Sequence, residues 1–165
     1  MVVERYQAGL VRLAAELRLD LEAATRQRST LEQALALAPW GGDDPRLAVV
    51  ALAIHHAYGA LESAMERVAL AFEGLPGRSD RWHQDLLQQM TLDLAGVRGP
   101  ALSRETADQL RSMLRFRHFL RHAYAVTLDP AQLEATARDA VVTTQASVDE
   151  LDAFARLVHA SAGAS

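Results

Sequence analysis

The sequence contains no cysteine and no lysine, and aromatic residues make up only 5% of it. The absence of cysteine excludes disulfide bonds, thiol nucleophiles and cysteine-ligated zinc. All 17 basic residues are arginines, which suits bidentate contacts to phosphate, although an arginine-only composition is also typical of a GC-rich genome. Few aromatic residues together with many alanines and leucines favour helices over sheets.

Long hydrophobic runs are also missing. No apolar run approaches the ~18–20 residues that a membrane-spanning helix needs, and the charged amino-terminal segment does not resemble a signal peptide. The 165 residues are 50% hydrophobic and 23% charged, as in an ordinary globular domain. We therefore expect a single cytoplasmic domain over residues 1–165, with no membrane association.

Apolar residues recur every three or four positions in five segments, a spacing that predicts α-helices. These segments run approximately over residues 4–38, 45–72, 80–90, 103–125 and 130–159. Asp80, Ser103 and Asp129 are predicted to cap the third, fourth and fifth helices. Because no alternating strand pattern is present, the predicted fold is all-α, an up-and-down bundle of four principal helices plus a short extra helix.

Positive charge is concentrated in one part of this acidic chain. The net charge is −4, yet residues 109–128 contain no acidic side chain. The same window holds four arginines and two histidines: Arg111, Arg115, Arg117, Arg121, His118 and His122. A local basic patch on an acidic protein indicates a focused anion site rather than a surface that binds nucleic acid throughout. Glycine-rich phosphate-binding motifs are absent from the sequence.

Arg117 falls on the apolar stripe that begins with Leu110, Met113 and Leu114. An unpaired arginine at such a position is costly, so a carboxylate or a phosphate is expected to meet it. Glu62 lies at the edge of the apolar face of the second predicted helix, and we therefore predict a Glu62–Arg117 pair. Two interpretations of this pair remain open: an internal salt bridge that holds two helices in register, or part of a site.

The histidines raise the question of a metal. His118 and His122 have the i, i+4 spacing of a helical metal-binding pair, but His83 and Glu62 would complete it only by default. We therefore predict no metal and no cofactor. The remaining histidines are interpreted as packing or polar-face residues: His55, His56, His83 and His159.

A longer pattern then becomes visible. Residues 117–124, RHFLRHAY, fit R-x-x-x-x-H-x-Y. Residues 55–69, HHAYGALESAMERVA, place Tyr58, Glu62 and Arg67 on the second predicted helix. With RWHQDLLQQM at 81–90, these segments resemble the HepT-like branch of the HEPN-domain ribonuclease toxins, of the MNT/HEPN type II toxin–antitoxin class. The resemblance is strongest over residues 45–135.

The resemblance implies a metal-independent endoribonuclease that cleaves single-stranded RNA through attack by the substrate's own 2′-hydroxyl. It implies that Arg117 stabilises the transition state, that His122 transfers a proton and that His118 assists. Supporting positions would be occupied by Glu62, Arg121 and Tyr58. Arg117 and His122 differ by about 140° around a straight helix, and the family arrangement implied is a homodimer whose two motifs face each other across a cleft.

The resemblance also implies a mode of control. The partner would be a cognate nucleotidyltransferase antitoxin of the MNT type, and the motif tyrosine, here Tyr124, would accept adenylyl groups from ATP (AMPylation). Steric inhibition by the antitoxin is the alternative. A different class of function also remains open, a non-catalytic HEPN helical module that binds a protein partner or a nucleotide and uses the Arg–His pair structurally.

Overall fold

The computed structural model of the protein describes residues 2–77, 79–122 and 127–163. Five α-helices occur in these ranges: α1 Val2–Leu35, α2 Arg46–Phe72, α3 Trp82–Met90, α4 Arg104–His122 and α5 Pro130–Gly163. These residues form no β-strand, and one antiparallel bridge between Leu94 and Arg98 closes a turn. The prediction of an all-α bundle with four principal helices and a short one is confirmed.

Helix α2 lies at the centre of the bundle, where it packs against each of the other four helices. Its side chains Ile54, Leu61 and Met65 are completely buried. By length and composition alone α2 would suffice to cross a membrane, contrary to the expectation that no such run exists, but 56% of its apolar 18-residue window is buried inside the bundle. Its apolar composition is explained by its place in the core.

The helix ends follow the predicted caps with one exception. Ser103 Oγ accepts a hydrogen bond from the Thr106 amide at 3.1 Å, and Asp129 Oδ1 accepts one from the Gln132 amide at 2.9 Å. Asp80 does not cap α3, so that prediction is wrong. The cap position is held by Arg81, which makes no side-chain cap bond.

Helix α4 packs against α2 and carries the basic window. Its apolar stripe Leu110, Met113 and Leu114 is buried, as predicted. Its first turn is fastened to α5, since Glu150 Oε1 accepts a hydrogen bond from Ser103 Oγ at 2.8 Å. The stripe and this attachment together bring the next inward position, Arg117, against α2.

Candidate functional site

A buried carboxylate on α2 is the centre of the site. Glu62 is 6% exposed. Its Oε1 accepts a hydrogen bond from Arg117 Nη1 at 2.8 Å, and its Oε2 accepts one from His83 Nδ1 at 2.5 Å. One carboxylate therefore joins α2, α3 and α4. The predicted Glu62–Arg117 pair is present, together with a second partner of Glu62, His83, that the sequence did not indicate.

The Arg117 guanidinium lies between the core and the surface, with its side chain 17% exposed. Its Cζ lies 5.5 Å from the centroid of the Tyr58 ring, within the range of a cation–π contact. Nε is buried and has no hydrogen-bond partner in the described part of the chain. Since only Nη1 is engaged there, the guanidinium retains donors for an anion.

His83 is the member of the site that sequence reasoning missed. Its ring stacks on Trp82 with centroids 4.0 Å apart and meets the ring of His118 edge-on at 5.7 Å. Glu62 and His83 are 21 positions apart on different helices, so no spacing rule links them. The one signal in the sequence was the resemblance of the RWHQDLLQQM segment to the family. His83 was interpreted as a packing residue, so its hydrogen bond to Glu62 was not predicted.

The two histidines of the motif lie on the exposed side of α4. His122 Nδ1 lies 2.8 Å from the carbonyl oxygen of His118. Because a carbonyl only accepts, Nδ1 is the donor and Nε2 carries the lone pair of the neutral ring. Burial lowers the pKa of His118, and electrostatic interactions with His83 and then with Arg117 lower it further. A lowered pKa keeps this imidazole neutral at neutral pH, the form that accepts a proton.

The two histidines belong to an exposed basic surface, which is formed by Arg115, His118, Arg121 and His122. Arg121 makes no hydrogen bond or ion pair with any residue in 2–77, 79–122 or 127–163, and Arg115 bonds only to the Ser112 hydroxyl there, at 2.7 Å. Guanidinium groups without carboxylate partners attract anions most effectively. Four members of the predicted basic patch therefore lie at the surface beside Arg117, whereas Arg111, also predicted as part of it, pairs with Asp108.

Tyr58 forms the floor beneath Arg117. Its side chain is completely buried, and its hydroxyl makes no hydrogen bond within the described residues. Burial raises the pKa of Tyr58 well above its ordinary value, and the negative charge of Glu62 raises it further. The phenol therefore stays neutral and contributes its ring face, not its ionisation, to the site.

With this geometry in place, the chain can be compared with known proteins. A family model described as HepT-like protein matches residues 49–158, about two thirds of the chain. The chain belongs to the HepT-like family. No curated protein and no solved structure matches the chain. The match confirms the resemblance to HepT-like proteins, and it extends beyond residue 135 into α5.

One residue of the family pattern, Arg67, is not part of this HepT-like site, and the placement of another, Tyr124, is not described. Arg67 turns towards α1, where its Nε donates to Asp20 at 2.6 Å and its Nη1 donates to Glu16 at 2.9 Å. Arg67 therefore fastens α2 to α1. Tyr124, the predicted modification site, lies outside the described residues.

The HepT-like site combines a guanidinium, two imidazoles at the surface and a carboxylate that faces inward. Within the described ranges, no three His, Asp or Glu side chains are grouped to hold a metal ion. The guanidinium can hold phosphoryl oxygens, and imidazoles can exchange protons near neutral pH. These groups are suited to acid–base chemistry on a phosphodiester.

Proposed function

We propose that this HepT-like protein is a toxin-type, metal-independent endoribonuclease that cleaves single-stranded RNA in the cytoplasm. The observation that carries the proposal is the placement of Arg117. Glu62 holds its guanidinium at the edge of the core, directly beside an exposed basic surface with two histidines. A guanidinium held in this way is organised before the substrate arrives, which is the condition for electrostatic stabilisation of a transition state.

The proposed reaction is an intramolecular transesterification. The 2′-oxygen attacks the neighbouring phosphorus, its proton passes to a histidine, and the bond from phosphorus to the 5′-oxygen breaks as that oxygen receives a proton. A 2′,3′-cyclic phosphate and a 5′-hydroxyl result. His122 would transfer protons through Nε2, His118 would assist, and Arg117 would bind the charge that develops on the phosphoryl oxygens.

The proposed active form is a homodimer. Arg117 turns towards α2 while His122 lies on the exposed side of the same uninterrupted helix. Five residues rotate a side chain by about 140°, so one copy does not direct both groups at one phosphate. A two-fold dimer, the commonest closed homo-oligomer, would bring Arg117 of one copy opposite His122 of the other.

The catalytic proposal is tested with purified protein and a single-stranded RNA in EDTA. We expect cleavage of RNA and none of DNA, which lacks the 2′-hydroxyl. Arg117→Ala and His122→Ala should each reduce kcat/KM by about a hundredfold or more. Arg156→Ala, which removes an exposed arginine of α5 paired with Asp152, is the control and should cleave normally. Activity that requires a divalent metal, or that survives both substitutions, would refute the proposal.

Control by a nucleotidyltransferase antitoxin of the MNT type completes the proposal, with Tyr124 as acceptor of adenylyl groups. Each AMP would add a phosphate and a base close to the basic surface, which would block RNA. Incubation with the antitoxin and ATP should add AMP increments to the mass of the wild type and abolish cleavage. Tyr124→Phe should stay unmodified and active. Equal silencing of Tyr124→Phe would show steric inhibition instead.

A second function is favoured by one observation, the position of the Glu62–Arg117 pair at the edge of the core, where Glu62 is buried and Arg117 is mostly covered. In a non-catalytic HEPN module that binds a protein or a nucleotide, this pair would only hold α2 and α4 in register. Two results together would support the module. The protein would cleave no RNA, and it would bind its protein or nucleotide partner equally well before and after Arg121 and His122 are replaced by alanine.

A further inference from the structure

We infer that His83 is a positioning residue of the proposed ribonuclease centre, which fixes Arg117 through Glu62 and supports the ring of His118. The inference rests on the proposed function and adds a residue to it from α3, outside the R-x-x-x-x-H-x-Y segment. No sequence pattern assigns His83 a role. Its contacts do.

The first contact is the hydrogen bond from His83 Nδ1 to Glu62 Oε2, 2.5 Å long. Both side chains are largely covered, 12% exposed for His83 and 8% for Glu62. A carboxylate oxygen in such a place needs a donor, because water is not available to replace one. With Oε2 held by His83, the carboxylate has one orientation in which Oε1 meets Arg117 at 2.8 Å.

The second contact is with the histidine of the basic surface. The rings of His83 and His118 meet edge-on at 80° with centroids 5.7 Å apart, while Trp82 packs on His83 at 4.0 Å. One imidazole therefore touches both the carboxylate that holds Arg117 and a histidine beside the proposed phosphate position. Loss of its hydrogen bond would loosen both groups at once.

The burial of His83 decides between positioning and proton transfer. His118 and His122 are exposed, whereas 12% exposure leaves His83 little surface for a substrate. In addition, the Nδ1 atom of His83 is already engaged by the Glu62 carboxylate. His83 thus acts through Glu62 and His118, in the manner of the outer groups that orient metal ligands and catalytic histidines in other proteins.

The test uses two amides that differ in reach. In His83→Asn the amide nitrogen occupies about the position of Nδ1 and can donate to Glu62, whereas in His83→Gln it lies further out, near the position of Nε2. We expect His83→Asn to retain kcat within about threefold of the wild type and His83→Gln to lose about tenfold or more, mainly in kcat. His159→Ala, which removes an exposed histidine from the end of α5, is the control.

The pH dependence of kcat/KM separates positioning from proton transfer. Wild type and His83→Asn should show the same profile, because a residue that positions others adds no titration of its own. If both amide variants lose activity equally and one limb of the profile disappears, His83 transfers a proton and the inference is wrong. It is also wrong if both variants match the wild type.

A second readout does not depend on cleavage. The Nε–H signal of Arg117, followed by nuclear magnetic resonance, should be sharp in the wild type and in His83→Asn, and broadened in His83→Gln. Wild-type protein that cleaves no RNA but shows this difference would refute the proposed function while retaining the role of His83. An unchanged Arg117 signal in His83→Gln, with circular dichroism showing a folded protein, would overturn the inference.

Discussion

At the scale of single residues, the Glu62 carboxylate presents an energetic problem. Transferring a carboxylate and a guanidinium out of water costs several kcal/mol each, and their attraction offsets this only when the geometry is good and the remaining oxygens find donors. Here Arg117 supplies a donor to one oxygen and His83 supplies a donor to the other. The same donors that make the charge tolerable also fix the guanidinium in one place.

Removing the carboxylate should therefore be severe. We expect Glu62→Ala to lower the free energy of unfolding by about 3–5 kcal/mol, because it leaves the mostly covered guanidinium of Arg117 without its partner. Urea denaturation measures this. Glu134→Ala, which breaks an exposed pair with Arg138, should cost no more than about 1 kcal/mol. Equal effects of the two substitutions would show that the buried pair is not special.

Tyr58 gives a prediction about alkaline pH. Burial raises its pKa in the folded protein above the unfolded value of about 10. Above that pH the unfolded chain releases the proton while the folded chain keeps it, so the free energy of unfolding should fall as pH rises. Tyr58→Phe should reduce this fall, because the ionisable hydroxyl is gone. Below pH 10 it should be neutral or slightly stabilising, because the lost hydroxyl makes no hydrogen bond to residues 2–77, 79–122 or 127–163.

Tyr6→Phe is the matched control, since the side chain of Tyr6 is 59% exposed. It should leave the alkaline slope of the wild type unchanged. Denaturation in urea at a series of pH values compares the three proteins. A Tyr58→Phe protein with the slope of the wild type, or one clearly destabilised at neutral pH, contradicts the account given for Tyr58.

At the scale of the helices, the position of α4 decides where the basic window points. Glu150 of α5 accepts hydrogen bonds from the Ser103 amide at 2.7 Å, from the Ser103 hydroxyl at 2.8 Å and from the Thr106 hydroxyl at 2.8 Å. A carboxylate at a helix amino terminus also complements the helix dipole. This contact fastens the start of α4, about three turns before Arg117.

We expect Ser103→Ala to cost about 1 kcal/mol of stability, as loss of an amino-terminal cap usually does. Glu150→Ala should cost a similar amount. The double variant should cost less than the sum of the two, because the two side chains share one cluster of hydrogen bonds. Ser63→Ala serves as the control, since Ser63 lies on the exposed face of α2. Strict additivity would show that Glu150 and the cap act independently.

At the scale of the whole molecule, the proposed active site needs two copies. Arg117 and His122 are rotated by about 140° from each other around α4. Each copy therefore carries both catalytic groups of the proposed site, but they point in different directions. If the site is composite, two inactive variants can supply the missing halves to each other. A site contained in one copy cannot be rescued in this way.

Mixing experiments test the composite site. Arg117→Ala and His122→Ala proteins, each inactive alone, are unfolded together and refolded as a mixture. Random pairing of two-fold dimers should restore about a quarter of wild-type activity, because half of the dimers are mixed and each holds one intact site. Arg117→Ala mixed with the double variant should stay inactive. Failure of the first mixture, or a fully active monomer in ultracentrifugation, would rule out the dimeric site.

Periodicity and capping residues were sufficient to predict five helices and their order. Helical spacing identifies an inward face whatever that face packs against, which is why Leu110, Met113 and Leu114 were correctly placed. The hydrogen bonds of a helix cap join residues only three positions apart, so the caps at Ser103 and Asp129 were predictable. Asp80 failed as a cap because a capping residue does not fix where its helix begins.

The sequence by itself determined the helical bundle, the basic window and the need for a partner at Arg117. Only the tertiary structure decided that His83 shares Glu62 with Arg117, and that Arg98, between α3 and α4, is buried and pairs with Glu73. These contacts join residues 21 and 25 positions apart, beyond the reach of any helical period. They depend on how three helices meet, which is settled by packing the whole core and not by any one segment.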